Sequence, residues 1–326
     1  MLIKDKNIVI TGGLGFIGSN LALACIKNDG FVTIIDNLDP QSGGNKFNIK
    51  IFENDIDLIY GDICNTNLMQ KILSNTDIII NCAAQTSHIQ SLKLPFKNLD
   101  VNCTAVLKML EIIKNTNPNI QFLQIGTTTQ IGKCYTSPVD ETHQEFPLDP
   151  YSAHKSLAEK YTYMYSQVHG LKTNSIRLPN IYGPRSAIHS SELTFNNYFI
   201  GLAFQNKEIT IYGDGCQYRN LLYVNDAVDA ILSTINKGKG LGDTYFAVHD
   251  DHITVSEVAE RVVEIIGTGT VRYIPYPDNK KKIEIGNAIY TNKKIKNDIG
   301  WHPKISFIDG LKNTKDYYST CLERYL

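Results

Sequence analysis

The sequence lacks any long run of apolar residues. No window of its 326 residues approaches the ~18 apolar residues that a membrane-spanning helix requires. The apolar run near the start, from Ile8 to Thr11 with its neighbours, is also shorter than the ~7–15 residues of a signal-peptide core. We therefore expect neither a membrane span nor a secretory leader.

Paired cysteines are also missing. The 7 cysteines are odd in number, scattered along the chain and never form a C-x-x-C pair. The histidines do not stand at metal-ligand spacing from a cysteine, so we expect no zinc site and no other bound metal. This usage is typical of reduced, mostly buried thiols and predicts a cytoplasmic protein without a disulfide framework.

An excess of basic residues is absent as well. Lys and Arg total 32 against 33 Asp and Glu, which gives a net charge of −1. Proteins that bind phosphate backbones usually carry a basic excess, so nucleic acid is a disfavoured partner, whereas a small anionic ligand needs only a few local cations. No repeat of ~20–50 residues and no low-complexity segment is present, which excludes solenoids and propellers.

Short aliphatic runs alternate with longer segments of helical period in the first half of the chain. Because these runs are almost continuously apolar, they are typical of strands that helices cover on both faces. The alternation predicts an α/β fold with right-handed βαβ units and a Rossmann-type, doubly wound parallel sheet. The predicted strands are Asn7–Thr11, Phe31–Asp36, Ile56–Tyr60, Ile78–Cys82, Gln121–Gly126 and Thr173–Arg177, and the predicted helices are Ser19–Asn28, Asn67–Ser74, Asn98–Lys114 and Tyr151–His169.

After about Pro179 the alternation becomes irregular and the loops lengthen. We therefore predict two domains, with a boundary between residues 1–178 and 179–326, the second being a smaller mixed α/β unit. Some of its segments, such as 220–236, are expected to return to the first domain. The elements predicted here are the helices Phe195–Gln205, Val224–Asn236 and Val255–Ile266 and the strand Ile209–Tyr212.

A glycine-rich turn directly follows the first predicted strand and precedes a helix. Its sequence, GGLGFIG, satisfies G-x-G-x-x-G from Gly13 and also a second spacing through Gly12, Gly15 and Gly18. Glycine adopts conformations closed to other residues and lets the backbone approach a pyrophosphate. The amides of the following helix favour the phosphates. The turn therefore predicts dinucleotide binding, and a simple turn is the alternative.

A carboxylate at the end of the second predicted strand indicates which dinucleotide. Asp36 stands eighteen residues after Gly18. An acidic side chain there accepts hydrogen bonds from the adenosine ribose hydroxyls and would repel a 2′-phosphate. We therefore predict NAD as the cofactor.

Two motifs in the middle of the chain carry candidate catalytic chemistry. Tyr151 and Lys155 are four residues apart at the start of a helix and share one face. A phenol has a reference pKa of ~10, so its use as a base needs a nearby ammonium and the positive charge of oxidised nicotinamide. Thr127, at the end of a parallel strand, would hydrogen-bond the reacting oxygen. A solvated helix face and a threonine-capped loop are the alternatives.

Together these residues resemble the extended short-chain dehydrogenase/reductase family, in particular its nucleotide-sugar epimerases and dehydratases. The likeness extends over essentially the whole chain. The motifs of the second half distinguish the nucleotide-sugar enzymes among Rossmann proteins. The matching segments are the glycine-rich turn, Asp36-Asn37, Gly61–Ile63, Asn81–Ala84, Asn102, Pro150–Lys155, Arg177–Arg185, Gly213–Arg219, Tyr223–Asp226 and Gly300–Pro303.

The resemblance implies a role for each matching residue. Tyr151 would be the base, Lys155 would bind the nicotinamide ribose and Thr127 would be their hydroxyl partner, while Asn180 and Arg219 would hold the substrate diphosphate. The implied cofactor-binding residues are Gly12, Gly15, Phe16, Ile17, Gly18, Asp36, Asn37, Asp62, Ile63, Ala83, Ala84, Asn102, Tyr151, Lys155 and Pro179. The candidate substrate-binding residues are Thr86, Ser87, Thr128, Asn180, Arg185, Tyr212 and Arg219. For Arg185, an ordinary surface arginine is the alternative.

Departures from the family pattern reduce the number of reactions that this chain is expected to catalyse. The dehydratases carry Asp-Glu after the catalytic threonine, and the decarboxylases usually keep the Glu. This chain has Thr128 and Thr129 there, which cannot supply the acid and base that expel water. In the segment after the threonines, this chain has Ile131 where the family commonly has a tyrosine. It also has Asn220 where an aspartate usually follows the arginine at position 219.

We therefore predict an NAD-dependent nucleotide-sugar epimerase that acts through a transient 4-keto sugar. A 4-dehydrogenase that releases the keto sugar is the alternative, and a dehydratase, a decarboxylase and a non-catalytic NAD-binding protein are less favoured. The resemblance also implies a homodimer through helices near residues 98–114 and 151–169. The alternative is that both apolar stripes face the sheet.

Overall fold

The apolar strands of the first half pair into one parallel sheet. The computed structural model describes residues 3–238, 241–278 and 284–326. Its seven-stranded sheet has the order β11-β6-β5-β4-β1-β2-β3, and all of its pairings are parallel. Its strands are β1 (Asn7–Thr11), β2 (Phe31–Asp36), β3 (Ile56–Tyr60), β4 (Ile78–Asn81), β5 (Gln121–Thr127), β6 (Lys172–Leu178) and β11 (Leu241–Phe246).

Helices cover both faces of this sheet because its strands are apolar on both faces. Along β1, Ile8 and Ile10 belong to one core cluster, and Val9 between them belongs to another. This alternation confirms the doubly wound α/β sheet that the sequence predicts. The helices are α1 (Phe16–Ile26), α2 (Thr66–Leu73), α3 (His88–Lys93), α4 (Pro95–Leu99), α5 (Ala105–Thr116), α6 (Pro150–His169), α7 (Phe195–Phe204), α8 (Val224–Lys237), α9 (Val255–Ile266), α10 (Lys293–Ile299) and α11 (Phe307–Ser319).

The predicted helix Asn98–Lys114 is interrupted near its start. A π-helical turn, Asp100–Thr104, joins α4 to α5, and the short helix α3 precedes α4. None of the helices in the described ranges is long and apolar enough to cross a membrane.

The second half of the chain builds three small two-stranded sheets. One segment does return to the large sheet, where β11 pairs with β6, and α8 packs against α1 and β6. The boundary after residue 178 stays a prediction. The small sheets pair β7 (Asn180–Tyr182) with β10 (Leu221–Tyr223), β8 (Glu208–Tyr212) with β13 (Thr270–Ile274), and β9 (Tyr218–Arg219) with β12 (Ile253–Thr254).

Candidate active site

The loops that follow the parallel strands open into one cavity. Because the carboxyl ends of parallel strands share an edge, these loops meet there. The cavity is lined by residues that follow β1, β2, β4, β5 and β6, including Gly12, Asp36, Ala83, Thr127 and Pro179. The start of α6 contributes Tyr151 and Lys155 to the same wall.

The structure decides between the two glycine spacings. Gly12 has a φ of +66°, and a Cβ added there would lie 2.8 Å from the backbone nitrogen of Ala83. A Cβ on Gly18 would lie 2.4 Å from the Gly12 oxygen. Gly13 does not line the cavity, and its Cβ would instead meet the Ile34 side chain. The spacing whose glycines line the cavity is therefore Gly12, Gly15 and Gly18.

Gly15 leaves room where a phosphate would lie. It precedes the first residue of α1, has an ordinary negative φ of −76° and lines the cavity. The nearest heavy atom to an added Cβ is 3.1 Å away. A helix start with no side chain in front of it is a suitable cradle for a pyrophosphate, so the loop fits a dinucleotide.

Two of the lining carboxylates, Asp36 and Asp62, lie at the end of β2 and just after β3. Asp36 accepts hydrogen bonds from the amides of Leu14 (3.0 Å) and Leu38 (2.8 Å). Asp62 accepts one from the Asn37 side chain at 3.0 Å. Both keep lone pairs for a ribose hydroxyl, so this region of the cavity fits the adenosine part of the same ligand.

Tyr151 and Lys155 lie on one face of α6 and are both buried. Burial raises the pKa of Tyr151 and the negative charge of Asp149 adds to this, whereas a hydrogen bond with the Thr127 side chain opposes it. Burial also lowers the pKa of Lys155 to about 8, and its ammonium donates a hydrogen bond to the Ile125 carbonyl. The structure thus brings the three predicted catalytic residues together.

The threonine loop is held by its own hydroxyls. Thr127 Oγ1 lies 3.0 Å from Thr129 Oγ1 and accepts a hydrogen bond from the Thr129 amide at 3.2 Å. Thr127 therefore caps the loop and also contacts Tyr151. Thr128 lines the cavity. Among the described residues of the lining, the carboxylates are Asp36, Asp39 and Asp62, which lie at or after the ends of β2 and β3.

His88 is one of the lining residues that sequence reasoning missed as members of the site. His88, at the start of α3, lines the cavity and lies edge-on to Tyr151, with ring centroids 5.0 Å apart. Its Nδ1 is 2.8 Å from Asp149. The two partners are 61 residues apart in the sequence, so no local pattern connects them.

Most predicted cofactor and substrate residues line the cavity, but two near it do not. Asn102 is buried and binds the loop after β4, with its Oδ1 3.0 Å from the Gln85 amide nitrogen and its Nδ2 2.8 Å from the Gln85 carbonyl oxygen. Ser87 caps α3 by accepting a hydrogen bond from the Gln90 amide. Their proposed ligand contacts stay predictions. The predicted residues that do line it are Gly12, Gly15, Phe16, Ile17, Gly18, Asp36, Asn37, Asp62, Ile63, Ala83, Ala84, Thr86, Thr127, Thr128, Tyr151, Lys155, Pro179 and Asn180.

Three further predicted substrate residues have protein partners and do not line this cavity. Arg185 is buried, not at the surface, and donates hydrogen bonds to the Asn48 carbonyl (2.9 Å) and the Asn20 side chain (2.7 Å). Arg219 pairs with Glu284. The third, Tyr212, packs against another tyrosine. A diphosphate that bound Arg219 would have to compete with the Glu284 carboxylate.

Comparison with known proteins gives one family. The GDP-mannose 4,6-dehydratase family profile matches residues 9–314. A trifunctional UDP-glucose 4,6-dehydratase/UDP-4-keto-6-deoxy-D-glucose 3,5-epimerase/UDP-4-keto-L-rhamnose-reductase of Arabidopsis thaliana is 29% identical over 323 residues, or 97% of this chain. The chain spans only 47% of that relative. A putative UDP-glucose 4-epimerase of Methanocaldococcus jannaschii is 29% identical over 95% of this chain and 97% of its own length.

Solved structures of both reaction types share the fold. The UDP-glucose 4-epimerase of Thermotoga maritima with UDP-glucose is similar with a TM-score of 0.88 and 28% identity, over 97% of this chain and 99% of that one. The dTDP-glucose 4,6-dehydratase of Bacillus anthracis str. Ames in complex with NAD has a TM-score of 0.86 and 26% identity, over 98% of each chain. Overall similarity therefore does not distinguish an epimerase from a dehydratase. The distinction has to come from the residues of the site.

Proposed function

The chain belongs to the GDP-mannose 4,6-dehydratase family, an extended short-chain dehydrogenase/reductase family, and we propose that it is an NAD-dependent nucleotide-sugar epimerase. In this proposal the enzyme oxidises a ring hydroxyl, at C4, and then reduces the 4-keto sugar from its other face. The substrate is a small nucleotide-diphosphate sugar.

One observation carries the proposal. Thr127 and Lys155 accompany Tyr151 in the cavity wall, whereas the carboxylates among the described lining residues lie at or after the ends of β2 and β3. Elimination of water needs an acid that protonates the leaving hydroxyl and a base that removes the neighbouring proton. Thr128 and Thr129 hold the positions after Thr127 and cannot do this, so the residues support oxidation and reduction without dehydration.

The chain's own residues would move the proton of the reacting hydroxyl. The Tyr151 phenolate accepts that proton, and the Thr127 hydroxyl holds the same substrate oxygen. The Lys155 ammonium stabilises the phenolate because the two side chains share one face of α6. Bound NAD would supply the hydride acceptor and, in reverse, the hydride donor. On reduction, Tyr151 returns the proton to the new hydroxyl, so no net proton is released.

The cofactor would lie along the edge of the sheet. Gly12, Gly15 and Gly18 would hold its pyrophosphate at the start of α1. Asp36 and Asn37 would bind the adenosine ribose, and the carboxylate of Asp36 disfavours the 2′-phosphate of NADP.

The test is a panel of UDP-, GDP-, CDP- and dTDP-sugars, each incubated with the purified full chain and NAD. Products are identified by mass spectrometry and NMR. We expect one sugar to give a product of unchanged mass with one inverted centre. A product two mass units lighter would identify the 4-dehydrogenase alternative, and a product eighteen units lighter would identify a dehydratase. The Tyr151→Phe variant serves as the blank.

A further inference from the structure

A histidine–carboxylate pair adjoins the base at the point where α3 and α6 begin. The ring of His88 meets the ring of Tyr151 edge-on, at an interplanar angle of 82°. Nδ1 of His88 lies 2.8 Å from Oδ2 of Asp149. Asp149 also caps α6 and accepts hydrogen bonds from the Ser152 amide (2.9 Å) and hydroxyl (3.0 Å). Both members of the pair are therefore held by protein contacts, His88 by Tyr151 and Asp149 by Ser152.

The hydrogen bonds define which atoms of this pair carry protons. Burial opposes ionisation of Asp149, but the hydrogen bonds from His88 and Ser152 outweigh it and lower the pKa of the carboxyl. An ionised carboxylate only accepts hydrogen bonds, so Nδ1 of His88 donates and Nε2 is left to gain or lose a proton. The pair is neutral when Nε2 is protonated and carries one negative charge when it is not.

The charge of the pair acts on a buried phenol. The Tyr151 side chain is buried, which already disfavours the phenolate, and the charge of Asp149 disfavours it further. The Asp149 side chain is only 6% exposed, so its charge is less screened by solvent than a surface charge would be. The protonation of His88 therefore decides how much of that charge Tyr151 meets.

We propose that His88 and Asp149 form a positioning pair for the base, in which the proton on His88 decides whether Tyr151 ionises beside a neutral pair or beside a negative charge. The inference rests on the proposed role of Tyr151 as the base. It places His88 and Asp149 in the machinery of proton transfer, although neither residue takes the substrate proton itself.

The other charged and titratable groups near this point are accounted for. On α6 they are Lys155, His154 and Glu159. Cys82, after β4, acts on Lys155, and β5 with its following turn presents neutral hydroxyls. Glu192 accepts a hydrogen bond from Gln90 of α3 at 2.7 Å.

His154 provides a matched control. It also feels Asp149, although burial dominates and lowers its pKa. Its Nδ1 lies 2.7 Å from the side-chain oxygen of Asn98 and not from a carboxylate. His154→Asn keeps a donor for Asn98 and removes one imidazole, and we expect it to leave the pH profile unchanged.

The test compares pH profiles of kcat/KM for the reactive nucleotide sugar in the holoenzyme. Asp149→Asn still caps α6 but removes the charge, whereas His88→Asn still donates to Asp149 but cannot gain the proton that balances the charge. The acid limb of Asp149→Asn should therefore lie at lower pH than that of His88→Asn, with the wild-type limb no lower than the first and no higher than the second. The double variant should follow Asp149→Asn. A purely structural role would lower kcat in both variants without moving the limb, and that result would overturn the proposal.

A second readout does not depend on turnover. In the full chain with NAD, the difference in ultraviolet absorbance from Tyr151→Phe follows ionisation of the Tyr151 phenol. In Asp149→Asn this ionisation should move to lower pH, because the charge of Asp149 disfavours the phenolate. An unchanged midpoint would overturn the coupling. If Tyr151→Phe keeps full activity, both this inference and the proposed base are wrong, and if only the pair variants leave the acid limb in place, the inference alone is wrong.

Discussion

At the scale of single residues, the site combines a phenol and an ammonium that are both buried. Tyr151 is 8% exposed and Lys155 is 4% exposed. Burial disfavours the charged form of each group, which is why their pKa values move apart, up for the phenol and down for the ammonium. A phenolate beside an ammonium restores favourable charge pairing, so the two residues function as a unit.

The first prediction concerns the phenol. Tyr151→Phe removes the hydroxyl and keeps the ring, so packing against His88 and the fold should be retained. We expect kcat to fall by roughly 10²–10⁴-fold or more, the range typical of a general acid–base group. Turnover of the reactive nucleotide sugar measures this, with thermal unfolding as the control for folding. Unchanged turnover would show that another group takes the proton.

The second prediction concerns the buried ammonium and the stability of the fold. The pKa of Lys155 is about 8 in the native state and ~10.4 in the unfolded chain. Between these values the unfolded state binds more protons, so the native state gains stability as pH rises. The free energy of unfolding of the wild type, minus that of Lys155→Met, should therefore rise by up to ~3 kcal/mol between pH 7 and 10.5. Urea denaturation at several pH values measures it, and a difference that does not vary with pH would contradict the buried charge.

At the scale of elements, two glycines of the glycine-rich loop allow an effect on ligand binding to be distinguished from an effect on packing. Gly15 and Gly18 both line the cavity, but an added Cβ on Gly15 would lie 3.1 Å from the Gly12 oxygen and one on Gly18 would lie 2.4 Å from it. The two glycines are in one turn and three residues apart, so their alanine variants form a matched pair.

The third prediction uses this pair. Gly15→Ala should weaken NAD binding by about tenfold or more, since its methyl group enters the phosphate cradle, and should cost less stability than Gly18→Ala, because its Cβ would lie 3.1 Å from the Gly12 oxygen and not 2.4 Å. Gly18→Ala should itself destabilise the fold by about 1–3 kcal/mol, because its methyl group meets backbone that cannot move aside. Calorimetric titration with NAD and thermal unfolding separate the effects. Equal NAD affinity in Gly15→Ala and the wild type would place the pyrophosphate elsewhere.

Local pattern determines how much of these elements the sequence predicts. The bounds of β1, β2 and β3 agree with the prediction because each is an apolar run with turn residues around it. Helix α3 was not predicted, since it has only six residues, too few to show a full helical period, and a proline follows two positions after its end. Strand β11 was not predicted either, because the run LGDTYF mixes polar and apolar residues. Its place in the sheet depends on pairing with β6.

The site follows the same rule. Local motifs were sufficient to select Thr127, Tyr151 and Lys155, since each lies at a strand end or on one helix face. The pair of His88 and Asp149 forms only when α3 packs on α6, and sequence spacing does not record that contact. Glu284, the carboxylate that pairs with Arg219, is also far from it in the sequence.

At the scale of the whole molecule, one helix presents an apolar stripe to solvent. On α6, Leu157 (38% exposed), Met164 (40%) and Val168 (68%) follow each other at helical spacing. The apolar residues of α5, by contrast, are mostly buried in the second core cluster. Of the two helices predicted to form a homodimer, α6 is therefore the one with exposed apolar surface that a partner could cover.

The fourth prediction tests that homodimer, which stays a proposal. Sedimentation equilibrium of the full chain should give twice the mass of one chain. Val168→Lys places a charge in the stripe and should shift the protein to monomers, because a buried unpaired charge opposes association. Ile51→Lys changes an equally exposed apolar residue (75% exposed) outside the stripe and should leave the dimer intact. A monomeric wild type, or a dimeric Val168→Lys, would show that α6 is not the interface.

The central claim is that hydride leaves the sugar and returns to the same carbon from the other face. The direct measurement uses the reactive nucleotide sugar with deuterium on C4, incubated in ordinary water with a catalytic amount of the protein and NAD. We predict an epimer of unchanged mass that retains the deuterium on C4, with no reduced cofactor accumulating. Loss of the deuterium to reduced cofactor, with release of a keto sugar, would contradict the account and identify a dehydrogenase.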